Sequence, residues 1–214
     1  MPLTSGEDNP AAPTHHGPMS SDRPGRKRPS PAARWFLDGL GGLSLVTGVA
    51  VAEALHDLGF ATVGLKWPND LLAGERKLGG ILIEGGGEHG GPVRAVIGIG
   101  LNVCMPAAQA GQIDQPWVDL AGLSSTPPSR NALAAAVLSR LLPALELFDA
   151  GGLAPFLPRY AALDLLAGQP INVHDARGVR HGLAEGLADD GALRVRFDEG
   201  LQSVYAGDVS VRKS

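Results

Sequence analysis

The chain has 214 residues, 44% hydrophobic and 19% charged, with a formal net charge of −4. That length admits one ordinary domain and a small second one, and the composition is that of a globular chain, with no global electrostatic case for a nucleic-acid binder. The single cysteine, Cys104, excludes an internal disulfide. It fits a reducing compartment.

No uninterrupted apolar run reaches the ~18 residues of a membrane span, and the N-terminus lacks the apolar core of a signal peptide. A cytoplasmic protein with no membrane partner is the default expectation.

Residues 1–33 hold seven prolines and no Phe, Trp or Tyr. Such a segment buries too little apolar area to offset its ordering entropy, so a disordered Pro/Arg-rich leader is expected there. Its basic run "RPGRKRPSP" reads as a solvated tail or as a phosphate or nucleic-acid contact. Order is expected from Arg34. "GLSLVTGVAVAEALHDLGF" is apolar nearly all round and ends in Gly59, which predicts a largely buried helix with a glycine C-cap. Gly48 lowers its helix propensity and permits close packing.

Three strand-like runs follow: "TVGLKW", "GGILIEGG" and "VRAVIGIGLNV". The loop "GGGEHGGP" between the last two is too short for a crossover helix, so the pairing is predicted to be antiparallel. Residues 130–149 predict a helix with Ser129 as N-cap and Leu133, Val137, Leu141, Leu145 and Phe148 on one face. Pro143 is expected to kink or divide it. "LAPFLPRYAALD" predicts a short helix broken around Pro158. From Gly168 the period becomes two, as in "ALRVRF", which predicts a small barrel with its own core.

The stretch "LKWPNDLLAGERKLGGILIE" is far more polar at one end than a strand requires. Lys66 and Lys77 flank a turn that would bring them together. Two ammonium groups beside the Asp70 carboxylate make a site for anionic oxygens. Gly79 and Gly80, with Gly98 on a neighbouring strand, would let a flat ligand press on backbone. Each feature alone has a plainer explanation: a lone lysine is solvated, a lone Trp is core, an Asn-Asp pair is a turn. Their combination within a dozen residues favours a site. No P-loop, dinucleotide fingerprint or zinc spacing is present.

"KWPND", "RKLGGILIE" and "VIGIGLNV" together resemble the catalytic core of the biotin–protein ligases (biotin–[acetyl-CoA-carboxylase] ligases), and the resemblance runs from about Arg34 to the C-terminus. The family pattern usually has Ala where this chain has Gly79. The resemblance implies an α+β fold of the class II synthetase/biotin ligase kind, a mixed or antiparallel sheet with packed helices, incomplete at its N-terminus. A small C-terminal all-β Src-homology-like barrel would follow. The implied divisions are the leader 1–33, a partial catalytic domain over 34–166 and the barrel over 167–214.

The implied activity is ATP-dependent formation of biotinyl-5′-adenylate, then transfer of biotin to a lysine of a carboxylase biotin-carrier domain. ATP, with Mg²⁺ bound through its phosphates, and biotin would be the small-molecule partners; no protein metal site is implied. By position, Lys77 matches the lysine at the biotin carboxylate and adenylate oxygens. Lys66, Asn69 and Asp70 match residues around the phosphates and their metal ion. Gly79, Gly80 and Gly98 match the backbone lining the biotin slot, and Asn102 matches a side chain at the adenine edge. Trp117 sits where some members fold an aromatic over the adenine, or it packs as buried Trp usually does.

The family's glycine- and arginine-rich loop and the strands ahead of it are not recognisable here. The chain therefore reads as the later part of a ligase joined to a proline-rich leader, by truncation, a misassigned start or a shifted frame. No winged-helix segment is recognisable either, so no nucleic-acid partner is expected. A homodimer is one arrangement the resemblance allows. The rival readings are an inactive ligase remnant with weak nucleotide or biotin binding or carrier-domain docking, and lipoate-type ligation, against which "KWPND" argues.

Overall fold

The computed structural model describes residues 42–86, 94–106, 115–175, 178–206 and 210–213. The leader, the onset of order at Arg34 and the loop 87–93 lie outside the described residues.

The first helix, α1 (Leu43–Asp57), is buried along most of its length, as its all-round apolar sequence requires. It ends in paired C-terminal hydrogen bonds, Gly59 N–H to the His56 carbonyl and Phe60 N–H to the Leu55 carbonyl, both 2.9 Å. Gly59 takes the left-handed φ of 93° that this ending demands. A Cβ at Gly48 would sit 3.2 Å from a Leu65 methyl and 3.5 Å from one of Ile81. Glycine thus seats α1 directly on the sheet beneath it.

That sheet has four antiparallel strands in sequence order: β1 (Val63–Lys66), β2 (Asp70–Ala73), β3 (Arg76–Gly86) and β4 (Arg94–Leu101). Because side chains alternate, Leu65, Ile81, Ile83 and Ile99 lie in or against the core. The opposite face is open, with Leu82 and Val96 59% and 66% exposed. Residues 163–165 run parallel to β1 at its free edge, Leu65 N–H donating to the Leu163 carbonyl and Leu165 N–H to the Leu65 carbonyl.

A short helix, α2 (Leu120–Leu123), is N-capped by Asp119. The long helix α3 (Arg130–Gly151) is N-capped by Ser129, whose hydroxyl accepts from Ala132 N–H. Leu133, Val137, Leu141 and Ala144 are buried, and Leu145 and Phe148 pack partly against the core. Pro143 neither divides nor ends α3, contrary to expectation. Tertiary packing on both sides of it overrides a local preference, and the proline itself is exposed. By length and composition α3 could cross a membrane. Leu133, Val137, Leu141 and Ala144 are turned to the protein core while Leu138, Leu142 and Leu147 are exposed, and Arg140 reaches Asp57 of α1 through two hydrogen bonds, 2.7 and 2.8 Å. A 3₁₀ turn (Ala154–Phe156) leads into α4 (Leu157–Ala161), which Pro158 starts rather than breaks.

The C-terminal all-β domain is a second antiparallel sheet: β5 (Pro170–Asp175), β6 (Gly178–Leu187), β7 (Leu193–Phe197), β8 (Gly200–Val204) and β9 (Ser210–Lys213), ordered β8-β7-β6-β5-β9. Its inner residues Ile171, Val173, Leu193 and Val195 are fully buried. They belong to one continuous cluster with α1, α3 and the first sheet. The expectation of a separate barrel core is therefore corrected to a shared one.

Candidate functional site

The strand registers set one row of residues across the whole first sheet. Lys66 lies opposite Asp70, Asp70 opposite Gly80, and Gly80 opposite Gly100. Directly opposed residues of antiparallel strands share a face. Two charged side chains and two glycines thus stand in line on the open face. Lys77 enters from the start of β3. Its Nζ is 2.6 Å from Asp70 Oδ1, and Lys66 Nζ is 3.7 Å from Asp70 Oδ2. The two lysines predicted to meet do so, through two successive hairpins with Asp70 between them rather than across one turn.

A Cβ at Gly80 would lie 3.6 Å from both Asp70 Oδ1 and Lys77 Cε, so glycine keeps the space beside this ion pair clear. Gly98, opposite Leu82, continues the same face one step further. Gly79 does not share it. It is buried, and a Cβ there would press on the Gly100 carbonyl and come 2.8 Å from a Leu101 methyl. Gly100, which sequence reasoning placed in a strand but not in the site, is the residue that faces Gly80.

The site holds its charge under strain from its surroundings. Burial pushes the Lys66 ammonium below its ordinary pKa; Asp70 opposes that shift, while Lys77 and Arg212 of β9 add repulsion. An anion placed among these cations would relieve the repulsion. Arg212 carried no signal in the sequence, since its nearness comes only from how the two sheets meet.

Asn69 and Asn102 are staples as well as candidate ligand groups. Asn69 Nδ2 donates to the Ile81 carbonyl at 2.8 Å, and Ile81 N–H returns a bond to the Asn69 carbonyl at 2.9 Å. Residues 116–118 run beside the start of β3: Lys77 N–H donates to the Pro116 carbonyl and Val118 N–H to the Lys77 carbonyl. Asn102 Nδ2 donates to the carbonyls of Lys77 and Val118, at 3.3 and 3.1 Å. Trp117 is half-buried and bridged to Lys77 through backbone. Lys77, Asn102 and Trp117 therefore form one rigid corner.

Trp67 is 2% exposed, and its indole N–H donates to the Gly191 carbonyl at 3.0 Å, so the core role and a tie to the second sheet coincide. The Trp67–Pro68 peptide is cis. Behind the turn lies a narrow cleft walled by Ser44, Gly48, Lys66, Asn69, Asp70 and Tyr160, among others. Among the described residues no three His, Cys, Asp or Glu side chains gather as metal ligands. Among the described residues this donor set builds no protein cage for Mg²⁺.

These features define an α+β protein with a cationic, glycine-floored sheet face and an all-β C-terminal domain. Residues 37–102 match the biotin/lipoate A/B protein ligase family, and residues 167–212 match the biotin protein ligase C-terminal domain. The chain is 38% identical over 175 residues to the bifunctional ligase/repressor BirA of Escherichia coli, covering 81% of this chain and 54% of that protein. It is 32% identical over 175 residues to the biotin--[acetyl-CoA-carboxylase] ligase of Paracoccus denitrificans, covering 78% and 71%. Its structure superposes on the biotin protein ligase of Aquifex aeolicus in complex with biotin and ATP with a TM-score of 0.70 at 27% identity, covering 82% and 72% of the two chains. The chain belongs to the biotin protein ligase family. It spans about half the length of the BirA proteins it matches.

Proposed function

We propose that the open face around Lys66, Asp70 and Lys77 forms biotinyl-5′-adenylate from biotin and ATP and serves transfer of the biotinyl group to a lysine of a carboxylase biotin-carrier domain. The observation that carries this reading is the convergence of Lys66 and Lys77 on Asp70 above Gly80 and Gly100. In the first step a biotin carboxylate oxygen attacks the α-phosphorus, and the bond to pyrophosphate breaks. Negative charge gathers on the oxygens, where Lys66 and Lys77 stabilise it. In the second step the acceptor amine attacks the acyl carbonyl, and AMP leaves with the bonding pair.

Within this reading Lys77 holds the carboxylate and adenylate oxygens, Lys66 and Asp70 order the phosphate end, and Gly80 and Gly98 line the biotin slot. Gly79 contributes by letting β3 and β4 approach closely. Asn69 fixes the turn that presents Asp70. The Asn102 amide oxygen accepts from the adenine amino group, beside the Trp117 ring. Mg²⁺ would arrive on the nucleotide phosphates and neutralise their charge.

The test supplies the purified chain with biotin, ATP and a purified carrier domain, and follows pyrophosphate release and the mass gain of the carrier. Lys77→Ala is expected to slow adenylate formation by about 10²–10³-fold, the usual loss for one such donor. Equal, nonzero rates would remove Lys77 from the mechanism. Binding of biotin or ATP with no adenylate would reduce the chain to a binding module.

A further inference from the structure

Tyr160 stands in the cleft wall with a buried hydroxyl that the reaction as outlined does not use. Its side chain is 2% exposed, and the hydroxyl has no hydrogen-bond partner among the described residues. A buried polar group without a partner is costly, which makes such a group a candidate for a partner acquired during function. Its position is fixed firmly. Tyr160 lies on α4, and residues 163–165, immediately after α4, are hydrogen-bonded along β1, the strand that carries Lys66.

Two carboxylates act electrostatically on the Tyr160 phenol, Asp164 and Asp70, and Asp70 shares the cleft wall with it. Asp164 Oδ1 already accepts the Leu166 N–H at 2.8 Å. Asp70 lines the same cleft as Tyr160 and is held by Lys77 at 2.6 Å and Lys66 at 3.7 Å. In the proposed reaction Lys77 must turn to the substrate oxygens. Asp70 then loses its nearest counter-charge while still largely buried, and it needs another donor. Burial, with Asp164 and Asp70 adding to it, holds the Tyr160 phenol well above its ordinary pKa, so it stays protonated and able to donate.

We infer that Tyr160 is a positioning residue for adenylate formation: its hydroxyl takes over Asp70 as a hydrogen-bond donor when Lys77 leaves that carboxylate for the substrate. This rests on the proposed function for its use in catalysis, though not for its first test. The groups paired with Asp70 are Lys66 from β1 and Lys77 from β3, and Tyr160 from α4 lines the same cleft; Arg212 from β9 acts electrostatically on Lys66, and Asp164 on Tyr160.

The first test removes Lys77 and needs no activity. Chemical denaturation compares the effect of Tyr160→Phe in the unaltered chain with its effect in Lys77→Ala. Loss of the hydroxyl is expected to leave the unfolding equilibrium unchanged in the unaltered chain and to raise it about fivefold in Lys77→Ala, where the hydroxyl has taken over Asp70. Equal effects in the two backgrounds overturn the inference. The second test compares adenylate formation by the unaltered chain and by Tyr160→Phe. The rate is expected to fall about tenfold with little change in the KM for biotin, while the melting temperature does not fall, because the hydroxyl has no partner to lose. A background-dependent stability effect with an unchanged rate overturns the catalytic use. If the unaltered chain forms no adenylate, the proposed function fails on that result, and the denaturation comparison still decides whether Tyr160 holds Asp70.

Discussion

The indole N–H of Trp67 donates to the carbonyl of Gly191 at 3.0 Å, joining residues 124 positions apart. One bond ties the turn that presents Asn69 and Asp70 to the β6–β7 turn of the C-terminal domain. Trp67→Phe keeps most of the buried ring but leaves that carbonyl unpaired. Chemical denaturation is expected to show a loss of about 1–3 kcal/mol, the cost of an orphaned buried acceptor. Trp67→Ala adds a cavity and should cost about 3–5 kcal/mol.

Lys66 gives a pH signature. Its folded pKa lies below 10.5, chiefly through burial, so it loses its proton before an exposed lysine would. Adenylate formation should therefore fall on an alkaline limb below that value. Lys66→Arg, which stays protonated, should move the limb upward. Stability runs the other way. The folded state releases this proton more readily than the unfolded chain, so the penalty of the buried charge is present at neutral pH and disappears as pH rises through the folded pKa. Melting curves of Lys66→Gln against the unaltered chain should converge at alkaline pH.

Asp164 offers a second titration of opposite chemistry. Burial raises its carboxyl above 3.8, against the backbone N–H groups of Leu166 and Ala167, which lower it. The ionised form is thus disfavoured on folding. The penalty applies above the folded pKa and vanishes below about 3.8. Asn can accept the same Leu166 N–H. Asp164→Asn is expected to raise the melting temperature at pH 7, and the gain should close as pH falls towards 3.

Gly79→Ala tests how closely β3 and β4 must approach. Here the added methyl would strike the Gly100 carbonyl and crowd a Leu101 methyl at 2.8 Å. The strands β3 and β4 must separate to admit it, at about 1–3 kcal/mol. A melting temperature equal to that of the unaltered chain would show that the strands yield freely.

Trp117→Ala separates the two substrates. Stacking of a base on an aromatic ring contributes about 1–3 kcal/mol. The KM for ATP should rise about tenfold or more, with the KM for biotin little changed. An equal rise in both would give Trp117 a structural role only.

Much of this architecture was legible in local pattern. The all-round apolar run with Gly59 after it specified α1, Ser129 specified the start of α3, and the alternation in "ALRVRF" specified β7. The meeting of Lys66 and Lys77 was legible too, because short hairpins leave few ways to arrange them. Gly100 was not singled out, since two glycines in "GIGLNV" are equivalent until register places one opposite Gly80. Tyr160 and Arg212 left no trace, because each approaches the site through packing between segments far apart in sequence. The unbroken α3 misled for a related reason: proline acts locally, while α3 is held by contacts remote in the chain.

The parallel pairing of residues 163–165 with β1 has a practical corollary for anyone dissecting this protein. The covalent connection to the C-terminal domain is itself bridged to the edge of the first sheet, bonded to Leu65 next to Lys66. A fragment ending before Leu163 would bare that edge and strip support from the lysine beside it, whereas a break after Gly168 would leave both intact. Dividing the protein for split reporters or fusions is therefore best done on the far side of that bridge.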